Sequence, residues 1–364
     1  MPVGIRAVAT AVLCCLAGAA QAQQASSVNI YGLLDVGLDY NSNVGGKSQK
    51  DETTGILAPN ILGFKGEEDL GAGRKAFFQL ETQFAVDTGS TIGNMWGRHA
   101  LVGLKSATLG SVQAGTVSDF MFDKLGVGRW GGGKMFPYVS LTFTRMGPFS
   151  RFMPTGSFDY DRVALSSRIN NAVRYDSPDY NGFSYGALYG FGEQSGGVGL
   201  NNTVSLGATY LTGPWTLQAA GTRQRRGDVN DGRDGLQTFG AGGRYDFANG
   251  SSFDFLYTNA KNTFTDGKIN SFEMGYLYPT SANTGLIGQY TYMKGNDVIG
   301  GAGAHQINTS FHYKLSMRTR VYASYAWQKV VGGDGLDHAQ IIATAGQSSS
   351  DTQGLFRLGL FHAF

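Results

Sequence analysis

Cysteine is almost missing from this 364-residue chain: there are two, Cys14 and Cys15, adjacent and close to the N-terminus. No disulfide framework and no cysteine-based metal site can therefore form over most of the length. Proline is scarce at 8 residues, which argues against a linker-rich chain, and aromatics at 12% are too many for disorder. Charge of one sign is not in excess. With 29 basic and 27 acidic residues and no long like-charged block, nothing points to nucleic acid. No stretch after the N-terminal segment approaches the roughly 20 apolar residues of a membrane-crossing helix. Glycine is the exception to this scarcity: 55 residues, without the three-residue period of collagen.

Residues 1–22 read as a secretory leader. Arg6 supplies the positive flank, residues 7–20 the apolar run, and Ala20-Gln21-Ala22 the small-residue cleavage site. The run is too short to span a bilayer. A lipoprotein signal is disfavoured because Leu13 and Cys14 are too bulky before a candidate cysteine. The expected organisation is a cleaved leader over 1–22 and a single domain over 23–364, exported and free of disulfides.

Mean hydropathy is −0.17, the value of an ordinary soluble protein, but the residues alternate with a period of two almost throughout. Over 29–40, Ile30, Gly32, Leu34, Val36, Leu38 and Tyr40 share one parity, while Asn29, Asp35 and Asp39 share the other. Over 75–84, Ala76, Phe78, Leu80 and Phe84 alternate with Lys75, Gln79, Glu81 and Gln83. Such alternation predicts strands with one apolar and one polar face. Further segments behave alike: 62–69, 96–105, 111–116, 168–175, 183–191, 203–212, 215–225, 236–245, 252–262, 269–278, 285–293, 305–315, 320–330 and 354–364. The prediction is sixteen strands.

Connections alternate in length. Turn residues mark 69–73, 176–182, 213–214, 248–250 and 315–319; polar, glycine-rich stretches occupy 41–55, 85–94, 192–202, 226–235, 294–304 and 331–353. The longest runs over 117–167. Short turns at one end and long loops at the other predict an all-β, sixteen-stranded antiparallel transmembrane β-barrel. A spanning strand takes roughly 9–11 residues, so the length fits. An even strand number closes the sheet and leaves no edge to lipid. Aromatics near strand ends, among them Tyr31, Tyr40, Phe77, Trp96, Trp215, Tyr278, Tyr322 and Trp327, predict interfacial girdles. The soluble alternatives, a sandwich or propeller, lack the observed strand length and would need a second, fully apolar sheet face.

Several motifs then carry a family likeness. Ser27-Val28-Asn29-Ile30-Tyr31-Gly32 with Asp35 and Gly37 resembles the first strand of the trimeric general porins of β-proteobacteria. So do Leu62-Gly63-Phe64-Lys65-Gly66-Glu67-Glu68-Asp69-Leu70-Gly71, Lys75-Ala76-Phe77-Phe78-Gln79-Leu80-Glu81, and Asn170-Asn171-Ala172-Val173-Arg174-Tyr175-Asp176-Ser177-Pro178. The chain ends Leu358-Gly359-Leu360-Phe361-His362-Ala363-Phe364, similar to the signal such proteins offer the barrel-assembly machinery. The resemblance implies a homotrimer in the Gram-negative outer membrane, with the long third loop folded into the lumen as a constriction. It implies passive diffusion of ions and small hydrophilic solutes, with no catalysis. One departure is that Thr116 follows Gly115 where relatives often carry arginine.

A pore needs a water-filled lumen and a field from fixed charges. Arginine or lysine facing lipid at the midplane costs about 2–4 kcal/mol, so charged strand positions are expected to face inward. On that argument Lys65, Lys75, Arg168 and Arg174 line the pore, with Arg98 on a strand of ambiguous parity. Asp35, Asp39 and Glu81 fall on the inward parity as opposing acids. In the 117–167 loop, Asp119 and Asp123 are the candidate constriction acids beside Lys124 and Arg129, and Asp159, Asp161, Lys134, Arg145, Arg151 and Arg162 complete its charge. A basic excess there favours anions weakly. The alternative for each loop arginine is pairing with a neighbouring acid or with lipopolysaccharide phosphate, and outer-membrane lipid is the expected surround.

Other classes find less support. Gly126-Val127-Gly128-Arg129-Trp130-Gly131 matches a dinucleotide fingerprint but lacks a βαβ frame. No Gly-x-Ser-x-Gly elbow is present, and the five histidines show no helical metal-ligand spacing, so no enzyme, metal or cofactor is expected. Arg226-Gly227-Asp228 in a loop is the one adhesin-like feature. A substrate-specific channel remains an alternative within the same fold, and an adhesin-type structural barrel outside it.

Overall fold

The computed structural model describes residues 27–126, 146–153, 158–164, 168–341 and 346–364. Its strands are β1 (Ser27–Val44), β2 (Lys47–Thr54), β3 (Ile61–Gly71), β4 (Arg74–Gln83), β5 (His99–Ser106), β6 (Gly110–Ser118), β7 (Arg168–Asp176), β8 (Phe183–Gly190) and β9 (Thr203–Thr212). They continue as β10 (Trp215–Arg225), β11 (Gly235–Asp246), β12 (Ser252–Asn262), β13 (Lys268–Pro279), β14 (Thr284–Gly295), β15 (Ala302–Lys314), β16 (Thr319–Gly332) and β17 (Thr352–Ala363).

All belong to one antiparallel sheet in which the strands from β3 onward pair with their neighbours in sequence, and β17 returns to β1 with Leu33 opposite Ala363 and Asn41 opposite Leu355. The seventeen strands make a sixteen-position barrel because β1 pairs along one half with β2 and along the other with β3. The two shorter strands share one place in the wall. At the hairpin between β1 and β2, Gly45 (φ 57°) and Gly46 (φ 96°) supply the two positive-φ positions of a tight turn. Between β2 and β3 the chain leaves the sheet at residues 55–60 and buries Leu57 and Ala58 against Tyr322 and Phe361.

This hairpin corrects the expectation of a loop over 41–55. β2 reads Lys-Ser-Gln-Lys-Asp-Glu-Thr-Thr; with no apolar residue, it carries no alternation to detect. The fourth predicted strand is also shorter, since β5 begins at His99 rather than at residue 96.

The two faces differ as the alternation requires. Val28, Ile30, Leu38, Val102, Leu104, Leu206, Phe272, Met274 and Leu358 are exposed on the outer face, which in a barrel meets lipid. The opposite parity carries buried polar residues such as Ser205, Thr258, Ser271, Gln306, Asn308 and Gln328. Three aromatics expected in girdles belong to this inner face instead. Tyr31 donates to the Glu81 carboxylate at 2.9 Å, Phe77 packs on an internal apolar cluster, and Tyr322 donates to Asp35 at 2.6 Å.

Candidate functional site

Three internal features organise the inward face. The first lies at the seam where the barrel closes. Arg357 of β17 is fully buried between Asp35 and Asp39 of β1, 3.3 and 2.9 Å from their carboxylates. Asp35 also accepts the backbone N–H groups of Ile56 and Leu57 at 2.8 Å each, from the segment that leaves the sheet after β2. Both acids thus take the inward parity read from the sequence, but the 55–60 segment and Arg357 enclose and neutralise them. Arg357 was absent from the sequence-derived set; its position opposite Asp39 in the β1–β17 pairing is the signal that points to it.

The second is a cluster of bases and acids around β4, β5 and β7. Arg98 donates Nε to Glu81 at 2.7 Å and a terminal nitrogen to Gln83 at 2.9 Å. Glu81 also lies 3.4 Å from the His99 ring. Arg174 pairs with Asp123 and, at 2.7 Å, with Asp176. Arg168 donates Nε to the Arg98 carbonyl at 2.9 Å and stacks on Phe122 with its guanidinium carbon 4.2 Å from the ring centre. Among the described residues its buried Nη1 has no hydrogen-bond partner. A bulge between β6 and β7, with Asn171 at φ 51°, places both Ile169 and Ala172 in the same internal cluster. Alternation is broken there, so Arg168 joins the basic group from the strand end and not by strand parity.

The residues after β6 complete this cluster. Phe120 donates its N–H to Ser205 at 3.0 Å, and its ring lies under Arg174 at 4.2 Å. The ring occupies a notch left by Gly186 and Gly207, which face one another on β8 and β9; a Cβ at either would come within 2.2 and 2.7 Å of Phe120 side-chain atoms. Glycine is required there by close approach. Met121, Phe122 and Leu125 are buried in a short helical turn, Met121–Leu125. Burial alone would raise the Asp123 carboxyl, but Arg174 outweighs it and holds the group below its ordinary value. Burial pushes the Lys124 ammonium down. Asp119 is tied to Arg162 at 2.5 Å. Arg129, Lys134, Arg145 and all but Gly126 of the fingerprint-like segment lie outside the described residues.

The third feature joins two long connections. Arg151 binds Asp334 at 2.8 Å and Asp337 at 2.6 Å, and Ser150 donates to Asp337 at 2.7 Å. Tyr160 and Asp161 bond inward-facing Ser271 and Thr258. Gln328 exchanges hydrogen bonds with the Gln340 backbone, and Gln353 accepts the Ile341 N–H at 2.8 Å.

The remaining candidates sit near the short-turn end. Lys65 extends over the Tyr31 ring at 5.1 Å, and Lys75 pairs with Glu67 at 3.2 Å, a carboxylate it shares with Lys105. In the 226–235 connection Arg226 binds Asp228 through two nitrogens at 2.9 and 2.8 Å, so the Arg-Gly-Asp side chains engage one another. Among the described residues no group of three His, Cys, Asp or Glu side chains is placed to hold a metal ion.

A closed sixteen-position barrel, apolar outside and charged within, is a multi-pass outer-membrane channel protein. Residues 9–333 match the Gram-negative porin family model, and the chain belongs to that family. An outer membrane porin protein of Bordetella pertussis is 27% identical over 380 residues, covering 87% of this chain and 93% of the relative. Outer membrane porin protein 32 of Delftia acidovorans is 29% identical over 367 residues, with 98% and 99% covered. Among solved structures, the anion-selective porin from Comamonas acidovorans superposes with a TM-score of 0.76 at 24% identity, over 93% of this chain and all of that one. OmpT of Vibrio cholerae gives 0.65 at 17% identity. These likenesses establish the fold.

Proposed function

We propose that this porin passes ions and small hydrophilic solutes by passive diffusion with a weak preference for anions, and that the connection over 117–167 narrows its lumen. The observation that carries the preference is the charge pairing around β7. Arg98 is matched by Glu81, Arg162 by Asp119 and Arg174 by both Asp123 and Asp176, whereas among the described residues Arg168 and Lys124 have no carboxylate in contact. These five bases and four acids leave one net positive charge, a modest potential that biases small ions without binding one tightly. No catalytic step is needed.

The same reading includes removal of the 1–22 leader, a barrel domain over 23–364, recognition of Phe364 by the assembly machinery, and assembly as a homotrimer. Support for the trimer comes from β2, where Lys50 and Glu52 sit on the outer face opposite Tyr40 and Leu38 and beside Phe356 and Leu358. Charges of both signs beside lipid-type residues suit a surface covered by protein. The test is the reversal potential of the purified protein in a planar bilayer under a salt gradient. Conductance rising in steps of three with an anion-favouring potential supports the reading; a cation-favouring potential removes the assigned preference.

A further inference from the structure

Among the described residues, His99 is the only histidine in the charged cluster around β4, β5 and β7. His305, His312 and His362 bond or stack within β14 to β17, and His338 lies in the 331–353 connection. His99 opens β5 and shares the inward parity of Leu101, which packs in an internal cluster, while Val102 and Leu104 face outward. The pairing of β4 with β5 sets it directly opposite Glu81. Its Nδ1 stands 3.4 Å from Glu81 Oε1, at the outer limit of a hydrogen bond, and its Nε2 stands 3.2 Å from the Ser118 hydroxyl.

Serine, histidine and an acid in this order are the parts of a hydrolytic triad, but exposure decides against that use. Ser118 is 2% exposed, so its hydroxyl is out of reach of a solute and serves the ring as a hydrogen-bond partner. The His99 side chain is 18% exposed and exchanges a proton with water.

The surroundings hold the ring in place without fixing its proton. A hydroxyl both donates and accepts, so Ser118 satisfies Nε2 in the neutral and in the charged ring alike. Glu81 cannot turn away, because Oε1 accepts Arg98 Nε at 2.7 Å and Oε2 accepts the Tyr31 hydroxyl at 2.9 Å. The charged groups around the ring are Glu81 from β4, Arg98 just before β5, Arg168 from β7 on the Arg98 carbonyl, and Asp123 from the turn after β6. Asp119 follows Ser118 and is tied to Arg162, Arg174 holds Asp123 and Asp176, and Lys124 lies over Phe120. With the ring neutral, this group carries one net positive charge; one proton on His99 doubles it.

We infer that His99, held between Glu81 and Ser118, is a specificity-determining residue of the channel whose protonation strengthens the preference for anions as the surroundings acidify. The inference rests on the diffusive-channel reading and adds the residue that tunes it. Histidine is the side chain whose charge ordinarily changes between about pH 5 and 8, whereas exposed carboxylates ordinarily titrate below about pH 5. A cluster that is nearly balanced responds strongly to one added charge, because the potential follows the small net charge and not the number of groups.

The test is the reversal potential of the full-length protein in a planar bilayer under a potassium chloride gradient, read at about pH 7.5 and about pH 5.5. The expected result is an anion-to-cation permeability ratio about twofold higher at the acid value in the wild type. His99→Gln removes this rise, and His99→Lys gives the higher ratio at both pH values. A wild-type ratio that does not change with pH overturns the inference whether or not the variants fold. A rise that persists in His99→Gln assigns the proton to another group, such as Lys124 or Asp123, and overturns it as well. The two readings stay apart because the sign at about pH 7.5 tests the anion preference and the change with pH tests His99. A cation-favouring potential that still moves toward anions in the wild type, and not in His99→Gln, removes the preference and supports the residue.

Discussion

Arg168 donates a hydrogen bond to the backbone carbonyl of Arg98 at 2.9 Å, and among the described residues only Arg98 of the two has a carboxylate in contact. The pair therefore presents one neutralised and one uncompensated charge. Replacing Arg168 by Gln is expected to lower the anion-to-cation permeability ratio by about twofold. Arg98→Gln removes the same single positive charge and at the same time leaves the Glu81 carboxylate without its arginine. Charge reversal of Arg168 together with Arg174 moves the reversal potential further toward cations. An unchanged potential in all of these variants removes the β7 bases from control of selectivity.

Closure of the barrel depends on a buried ion cluster. Arg357 is fully buried between Asp35 and Asp39 and also donates Nε to the Tyr322 hydroxyl at 2.7 Å. Arg357→Met leaves two buried carboxylates without their cation, a loss of about 3–5 kcal/mol for breaking such a pair. The expected reading is a clear drop in the temperature at which the folded barrel changes mobility on a gel. Asp39→Asn, which keeps Asp35 in place, lowers it less. Equal temperatures for wild type and Arg357→Met would refute the role of this seam.

Phe120 is held by absence of side chains on the facing strands. Gly186→Ala or Gly207→Ala places a methyl group inside the Phe120 ring's space, and overpacking of this kind costs about 1–3 kcal/mol. Displacement of Phe120 also disturbs the Arg174 stack above it. The prediction is altered conductance in either variant, with recovery toward wild type when Phe120→Ala is added to Gly186→Ala. Additive defects in the double variant would show that the notch and the ring act independently.

Much of this architecture was legible because a barrel wall repeats every two residues. In β13 the outward Phe272, Met274 and Tyr276 alternate with inward Ser271 and Glu273, and lipid on one side and water on the other make that contrast obligatory. β2 escaped notice because it contains only polar residues. The bulge at Asn171 defeated parity counting across β7: Ile169 and Ala172 face the same cluster although three positions separate them. Partnership was harder to read than direction. Alternation places Asp35 and Asp39 inward, but only the return of β17 to β1 shows that Arg357 neutralises them. Likewise Lys75 takes its expected face, but the fold sets it against Glu67 near the short-turn end and far along the strand from Glu81.

The contact of Arg151 with Asp334 and Asp337 gives a prediction in pH. The hydrogen bonds from Arg151 hold the Asp334 carboxyl below its ordinary value, and the two carboxylates raise Arg151 in turn. A carboxylate with a depressed folded value contributes its stabilisation above the unfolded value of about 3.9 and loses it as pH falls through the lower folded value. The tie between the two connections is therefore in place from neutral pH down to about 4 and releases only in stronger acid. Arg151→Ala removes it at every pH, whereas Asp334→Asn leaves the Asp337 contact at 2.6 Å. Limited proteolysis of the folded barrel between pH 7 and 3 reads this directly. Cleavage within 333–341 is expected to be slow in the wild type until the acid end of the range, faster throughout in Arg151→Ala, and intermediate in Asp334→Asn. Identical cleavage of wild type and Arg151→Ala at neutral pH would show that the backbone bonds to Gln328 and Gln353 hold this connection without the arginine.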